Sequence, residues 1–388
     1  MSVNHNASAL EAIIQQRIDE AGGWIPFDIF MQSALYEPGL GYYESSHVFG
    51  EDGDFVTGAD MGPWLALGFA DLIDWGWREL GSPTEWTLLE QGGGTGRLLS
   101  AVIATLKGRG LTPTRVVAID ASSDMRARQK ALYSDQQLDV DSLSSLEEAG
   151  ELDNCLMFCN ELPDAFPVRS FSWKGGHAYE RGVAHSNGSF IWQDATMKMG
   201  MPLDIDPEIT SEWPDGYISE WNPNLKEWQE KVSKTIQRGF LFCVDYGYSQ
   251  QEYYRAQRLE GTLLGHRGHQ VIENVLQQPG SCDITAHIDF TSLRRIGDSV
   301  GLSPSSFMSQ GAWLAQSPSV QRQIEQLAAE GSVESVQELA HAKRMLMPFG
   351  MGETFKLLIQ SCHHKQSGPG YLSHFDRTRD LRGMRGVA

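Results

Sequence analysis

The stretch EWTLLEQGGGTGRLLSAVIATL, Glu85 to Leu106, decides the fold. An apolar run from Trp86 ends in an acid, Glu90. Four glycines then fall within Gly92 to Gly96, and Leu98, Leu99, Val102, Ile103 and Leu106 follow at helical spacing. The order is strand, tight turn, helix. Glycines let the backbone bend sharply and let a ligand lie against bare peptide, and the free N–H groups of a helix start favour a polar or anionic ligand. An ordinary strand-to-helix turn also uses glycines, so the flanking residues must choose. The dinucleotide fingerprint G-x-G-x-x-G, begun at Gly92, requires glycine where Arg97 stands, and the Gly-Lys-Ser/Thr ending of a phosphate loop is missing. Both nucleotide-phosphate readings weaken.

What stands is E-x-G-x-G-x-G, with Glu90, Gly92, Gly94 and Gly96 as its fixed points and Gly93 inside the turn. This resembles the first motif of the S-adenosylmethionine-dependent methyltransferases with a Rossmann-like fold. The ligand so implied is a zwitterion without phosphates, and an acid facing its amino group is favourable there. A second acid follows one strand later. The run RVVAID, Arg115 to Asp120, is β-branched and places Asp120 at a distance of the order of ~20 residues, where a ribose-binding acid is expected. Asp120 either takes both ribose hydroxyls or caps the helix predicted over Ser122 to Tyr133, and the first motif favours the ribose.

The 388 residues suffice for a large core, and 41% hydrophobic with 21% charged residues is ordinary for a soluble globular protein. The net charge of −19 is not ordinary. It argues against nucleic acid, whose phosphates need clustered Lys and Arg, and it suits a cationic partner, although an acidic surface also serves solubility alone. Five cysteines are scattered over the chain, and Cys155, Cys159 and Cys243 lie in apolar runs. Buried free thiols are expected, and with them the reducing cytoplasm. No apolar run has the length to span a membrane, so no membrane partner is expected, and the N-terminus carries no leader pattern.

Residues 8–20 carry Ser8 and Glu11 in capping-box spacing and predict a helix ended by Gly22-Gly23; Pro26 to Tyr36 predicts another. A long loop rich in glycine, acids and aromatics precedes an apolar helix from Pro63 to Leu80. Here IPFDIFMQSALYEPGLGYY followed by GDFVTGAD resembles the N-terminal signature of the MidA-like family, whose mitochondrial member is a complex I assembly factor and protein arginine methyltransferase. The likeness continues through EQGGGTGRLL, CNELPDAFPV, FLFCVDYGY, GTLLGHRGH, PGSCDITAHIDFTSL and MGETFKLL. It implies S-adenosyl-L-methionine as cofactor, Asp54 and Thr57 beside it, and a protein with an accessible arginine as partner, with a respiratory-complex subunit as one such partner. The implied fold is α/β: a mostly parallel seven-stranded sheet with helices on both faces, an N-terminal helical segment and a β-rich insertion. The predicted divisions are 1–82, helical segment and lid loop; 83–168 and 224–365, the Rossmann-like domain; 169–223, the insertion; and 366–388, a disordered tail.

A weak third strand over Gln137 to Val140 makes Asp141 the candidate for the adenine amino group, unless it caps the next short helix. The fourth strand, Cys155 to Cys159, leads into Asn160 and Glu161. Ligands of open parallel sheets sit at the carboxyl ends of strands, so Asn160, Glu161 and Asp164 are the main candidates for catalysis. Asn160 can also serve the donor, and Glu161 and Asp164 would otherwise cap a helix. A fifth strand, Phe240 to Val244, ends at Asp245, which with Asp164 and Asp283 stands behind Glu161 as a catalytic candidate, and the family likeness puts Asp283, Thr285 and His287 near the substrate side, with a structural histidine as the alternative for His287. His266 and His269 lack further ligands, so no metal is expected. The insertion, with its Asn187-Gly188 hairpin signal, is a natural substrate-recognition cap, or structural padding. The predicted reaction is methyl transfer to nitrogen, and the resemblance supplies arginine as the acceptor. A small-molecule methyltransferase and a non-catalytic assembly factor remain open, while Arg97 disfavours a nicotinamide oxidoreductase.

Overall fold

The structure, a computed structural model, describes residues 2–44, 62–197, 205–268 and 270–382. Its centre is one twisted sheet of seven main strands: β1 Thr87–Gln91, β2 Arg115–Ile119, β3 Asp141–Leu143, β4 Cys155–Asn160, β5 Gly239–Tyr248, β6 Leu302–Ser309 and β7 Phe355–Cys362. Their order across the sheet is β6-β7-β5-β4-β1-β2-β3. All pairings are parallel except those of β7, which is antiparallel to both neighbours. A two-residue strand, Ile288–Asp289, adds on parallel to the end of β5.

The apolar runs that looked continuous in sequence are continuous because both sheet faces are covered. Leu88, Leu156, Phe242 and Leu357 point to one side, where helices Trp64–Glu79 and Arg97–Gly108 pack. Leu89, Met157, Leu241 and Leu358 point to the other, under helices Asn224–Thr235 and Phe290–Val300. The chain runs β1-β2-β3 toward one edge and resumes at β4 on the opposite side of β1. That reversal opens a crevice at the carboxyl ends of β1 and β4, the place where this architecture binds ligands.

The predicted insertion forms a second sheet of strands Arg169–Lys174, His177–Ser186, Ser189–Thr196 and Ile218–Trp221. Asn187 and Gly188 both have positive φ, 50° and 76°, the signature of the two-residue hairpin turn that their sequence signals. Ile25 and Pro26 pair with Val183 and Gly182, so the N-terminal segment is stitched to the insertion.

Three expectations need correction. The first helix is Ser2–Glu20 and is already under way at Ser8, so Ser8 does not cap it. The third strand lies later than Gln137 to Val140, starting at Asp141 itself. The tail is not disordered where described: Leu372 and Leu381 are fully buried, Arg377 N donates to Phe307 O at 2.7 Å, and Phe307 N donates to Asp376 Oδ1 at 3.0 Å. Two leucines and the open edge of β6 anchor a segment whose arginines and glycines had suggested none.

Candidate functional site

A cleft of about 830 Å³ opens at the carboxyl ends of β1, β2, β4 and β5. Its floor is the glycine turn. Gly92 has φ +75° and donates its N–H to Ile119 O at 2.8 Å, which pulls the turn over β2. A Cβ on Gly93 would stand 2.1 Å from Glu90 Oε2, so a bare residue is required for the acid to lie beside the turn. Gly94, at φ +51°, has nothing within 4 Å of where its Cβ would be, and it faces the open cleft. Gly96 does not line the cleft; a Cβ there would meet Tyr133 Oη at 2.7 Å and φ is +81°, so its need for glycine comes from packing and backbone conformation.

Glu90 and Asp120 both face this hollow. Glu90 is buried, and its Oε2 meets no hydrogen-bond donor among the described residues. Burial, with the Asp120 charge adding to it, pushes its carboxyl up to about 8. Burial likewise raises Asp120, to about 6, against the opposing hydrogen bonds of Ser122 N–H and Gln129. The helix after β2 is capped by Ser122, whose Oγ accepts from Met125 N, which frees Asp120 from that role. Gln129, fully buried, was not singled out for a role from sequence. Its Nε2 donates to Gly94 O at 2.9 Å and to Asp120 Oδ2 at 3.3 Å, tying the turn to the acid. Its placement two helical turns beyond Ser122 was readable; its target was not.

Asp141 does not reach the cleft. Because β3 begins at this residue, Asp141 sits at the strand's amino end, half exposed, paired with Arg115 Nε at 2.7 Å. The carboxyl end of β3 delivers Ser144 and Ser145 to the cleft in its place. A mostly polar strand gave no apolar pattern with which to fix its register.

The opposite wall holds Asn160, Glu161, Asp164 and Asp283 together with Tyr36, Tyr43 and Tyr246. Glu161 has φ +52°, a conformation that costs a non-glycine residue energy and that gathers at functional sites. Asn160 Nδ2 donates to Glu161 Oε1 at 2.9 Å. Tyr246 Oη donates to Asp164 Oδ2, and Tyr43 Oη donates to Asp283 Oδ1 at 2.7 Å. Burial raises Asp164 to about 6 and Asp283 to about 8, while the tyrosine hydroxyls pull each back toward the ionised form. Asp283 is raised further by the charges of Asp164 and Glu161.

Two candidates stand behind this wall. Asp245 is fully buried inside β5, which runs on to Tyr248, and its oxygens accept Asp164 N at 3.1 Å and Tyr246 N at 2.8 Å. It shapes the wall without lining it. His287 lies against the rings of Tyr246 and Tyr248, at 5.1 and 5.3 Å, and burial lowers it to about 4, so its ring is neutral. Asp54, Thr57 and His269 lie outside the described residues.

The donor implied by the motif fits what is present. Gly93 and Gly94 leave bare peptide, Glu90 Oε2 is a buried acceptor awaiting a donor, and Asp120 stands beside it. An ammonium and a ribose diol would supply the missing hydrogen bonds and positive charge.

Comparison with known proteins agrees. An S-adenosyl-L-methionine-dependent methyltransferase family matches residues 71–308. The chain is 26% identical over 390 residues to "Protein arginine methyltransferase NDUFAF7 homolog, mitochondrial" of Drosophila melanogaster, covering 92% of this chain and 84% of that protein. It is also 26% identical over 401 residues to "Protein arginine methyltransferase NDUFAF7, mitochondrial" of Danio rerio, covering 90% and 86%. A crystal structure of a COG1565 superfamily member from Burkholderia thailandensis bound to S-adenosyl-homocysteine superposes with a TM-score of 0.86 at 27% identity, over 97% of this chain and 98% of that one. The names of the Drosophila melanogaster and Danio rerio relatives correct one expectation: both proteins are called mitochondrial, so the cytoplasmic assignment falls. It rested on cysteines that are all free and buried, and a buried thiol reports its own packing, not its compartment. The chain belongs to the MidA-like family of S-adenosylmethionine-dependent methyltransferases.

Proposed function

We propose that this methyltransferase acts on the guanidinium nitrogen of an arginine in a protein. The observation that carries the reading is the acid wall. Asp164 and Asp283 are buried, and the influences that set their ionisation are burial, tyrosine hydroxyls, backbone amides and neighbouring carboxylates. Among the described residues no cation offsets Asp164 or Asp283, and a planar cation that hydrogen-bonds carboxylates supplies that charge. The names of the curated relatives support the same acceptor, and a respiratory-complex subunit is the class of partner that the family likeness suggests.

Bound S-adenosylmethionine supplies an already activated methyl group. The chain's own residues then have two tasks. Glu90, Asp120 and the glycine turn hold the donor, while Glu161 and Asp283 hold the guanidinium and draw its charge away from the attacking nitrogen. Asp164, raised to about 6 and joined to Tyr246, accepts the proton released on transfer. Alignment of this kind is worth ~7–11 kcal/mol of barrier when it replaces a chance encounter.

The test is incubation with methyl-labelled donor and mitochondrial extract, followed by amino-acid analysis. Label in methylarginine is the expected result, and Glu161→Gln is expected to lower turnover by about 10²-fold, the scale of a lost charge-stabilising contact. Label confined to small molecules, or to lysine, would overturn the assignment.

A further inference from the structure

Tyr43 belongs to both halves of the cleft. It lies in the turn Tyr42–Glu44 of the N-terminal segment, far in sequence from its hydrogen-bond partners Ser122 and Asp283. On the donor side, Ser122 N donates to Asp120 Oδ1 at 3.0 Å, and the Ser122 hydroxyl donates to the Tyr43 carbonyl at 3.1 Å. On the acceptor side, the Tyr43 hydroxyl donates to Asp283 Oδ1 at 2.7 Å. Three hydrogen bonds in series thus join the donor-side carboxylate to an acceptor-side carboxylate, and Tyr43 supplies two of the links.

We propose that Tyr43 is a positioning residue that couples the two halves, so that occupancy of the donor half tightens the hold on a cationic acceptor. A ligand on Asp120 immobilises the Asp120–Ser122 loop. That loop fixes the Tyr43 backbone, and the fixed backbone aims the hydroxyl that keeps Asp283 oriented. The ordering cost of the acceptor wall is then met before the acceptor arrives, and linkage makes the benefit mutual. The inference rests on the arginine reading above, because it takes the acceptor to be a guanidinium.

Calorimetry with ethylguanidinium, in the presence and absence of saturating S-adenosylhomocysteine, tests it on the full chain. The wild type is expected to bind ethylguanidinium roughly tenfold more tightly when S-adenosylhomocysteine is bound, a typical coupling strength. In Tyr43→Phe that ratio is expected to fall to about one. Phenylalanine keeps the ring contacts with Tyr36 at 5.4 Å and Tyr42 at 5.3 Å, so the turn retains its packing. Ser122→Ala breaks the other link, and the double variant is expected to lose no more coupling than either single one. General structural damage would weaken both ligands and leave their ratio alone. An undiminished ratio in Tyr43→Phe overturns the coupling and leaves the arginine reading intact. Failure of the wild type to bind ethylguanidinium in either state overturns the arginine reading and this inference with it.

Discussion

The two walls of the cleft hold acids raised to similar values, yet they are built in opposite ways. On the donor wall, Glu90, Gly92 to Gly94, Asp120 and Gln129 all fall within one β-α-β-α stretch. Its acids rise to about 8 for Glu90 and about 6 for Asp120, and a backbone amide and Gln129 hold Asp120. The acceptor wall takes Tyr43 from the N-terminal segment, Glu161 and Asp164 from the end of β4, Tyr246 from β5, and Asp283 from a small separate sheet. Asp164 and Asp283 are held there by tyrosine hydroxyls, and Glu161 by Asn160. One wall is a local motif in which the missing side chain matters most. The other is an assembly of side chains that only the whole fold brings together. Substitutions on the first are therefore expected to act on one ligand, and substitutions on the second on catalysis and on cross-talk.

The sharpest way to break this contrast is Gly93→Ala. A methyl there would sit 2.1 Å from Glu90 Oε2 and must drive the carboxylate from its place. Loss of a charged hydrogen bond costs ~1.5–3 kcal/mol, so affinity for S-adenosylhomocysteine is expected to fall by about 10- to 100-fold. The turn is a loop and the sheet beneath it is untouched, so the melting temperature should barely move. Measured by calorimetry, unchanged affinity would show that Glu90 does not hold the donor.

The same contrast explains what could be read before the fold was seen. Strands β1, β2, β4 and β5 announced themselves because TLLEQ, RVVAI, CLMFCN and GFLFCVDYGY carry central apolar runs that are buried on both sheet faces. The glycine turn and its two acids were readable because bending and ligand contact both demand specific residues at fixed spacing. Strand β3, with the sequence DSL, has no such demand written into it, so its register slipped and Asp141 was misplaced. Asp164 and Glu161 were found because they follow a legible strand. Tyr43 and Gln129 were not found as site residues, since their roles depend on partners in other segments. Asp245 looked like a strand-end acid because it follows the apolar run Phe240 to Val244, whereas β5 continues to Tyr248.

A second test weighs the two walls against each other by pH. Glu90 and Asp283 each have a folded-state value near 8, above the ordinary carboxyl range, because burial disfavours the charged form. The folded protein therefore holds more protons than the unfolded chain between about pH 4.5 and 8, and stability falls as pH rises through that window. Their contribution is fully present below the ordinary carboxyl value and is lost through about 8. Glu90→Gln and Asp283→Asn are each expected to flatten the decline by up to about 1.4 kcal/mol per pH unit, the slope of one proton. Urea denaturation at pH 5, 6.5 and 8 without ligand reads this slope. A slope unchanged in Glu90→Gln alone would mean that only the acceptor wall is short of counter-charge.

The smallest effect is expected at Asp141, and it fixes where the donor wall ends. Its carboxylate pairs with Arg115 Nε at 2.7 Å, but the two side chains are 50% and 36% exposed. Exposed pairs of this kind contribute ~0–1 kcal/mol, and water solvates either partner once the pair is broken. Arg115 also donates to Ala149 O at 3.1 Å, so it keeps a partner without Asp141. Asp141→Asn is accordingly expected to leave affinity for S-adenosylhomocysteine within about twofold and stability within about 0.5 kcal/mol. The strand runs from Asp141 at its amino end to Leu143, and Ser144 and Ser145 occupy the cleft in the position that a ligand-facing acid would need. A tenfold loss of donor affinity in Asp141→Asn would place that side chain against the ligand after all, and would require β3 to pair with β2 in a different register from Val117 opposite Asp141.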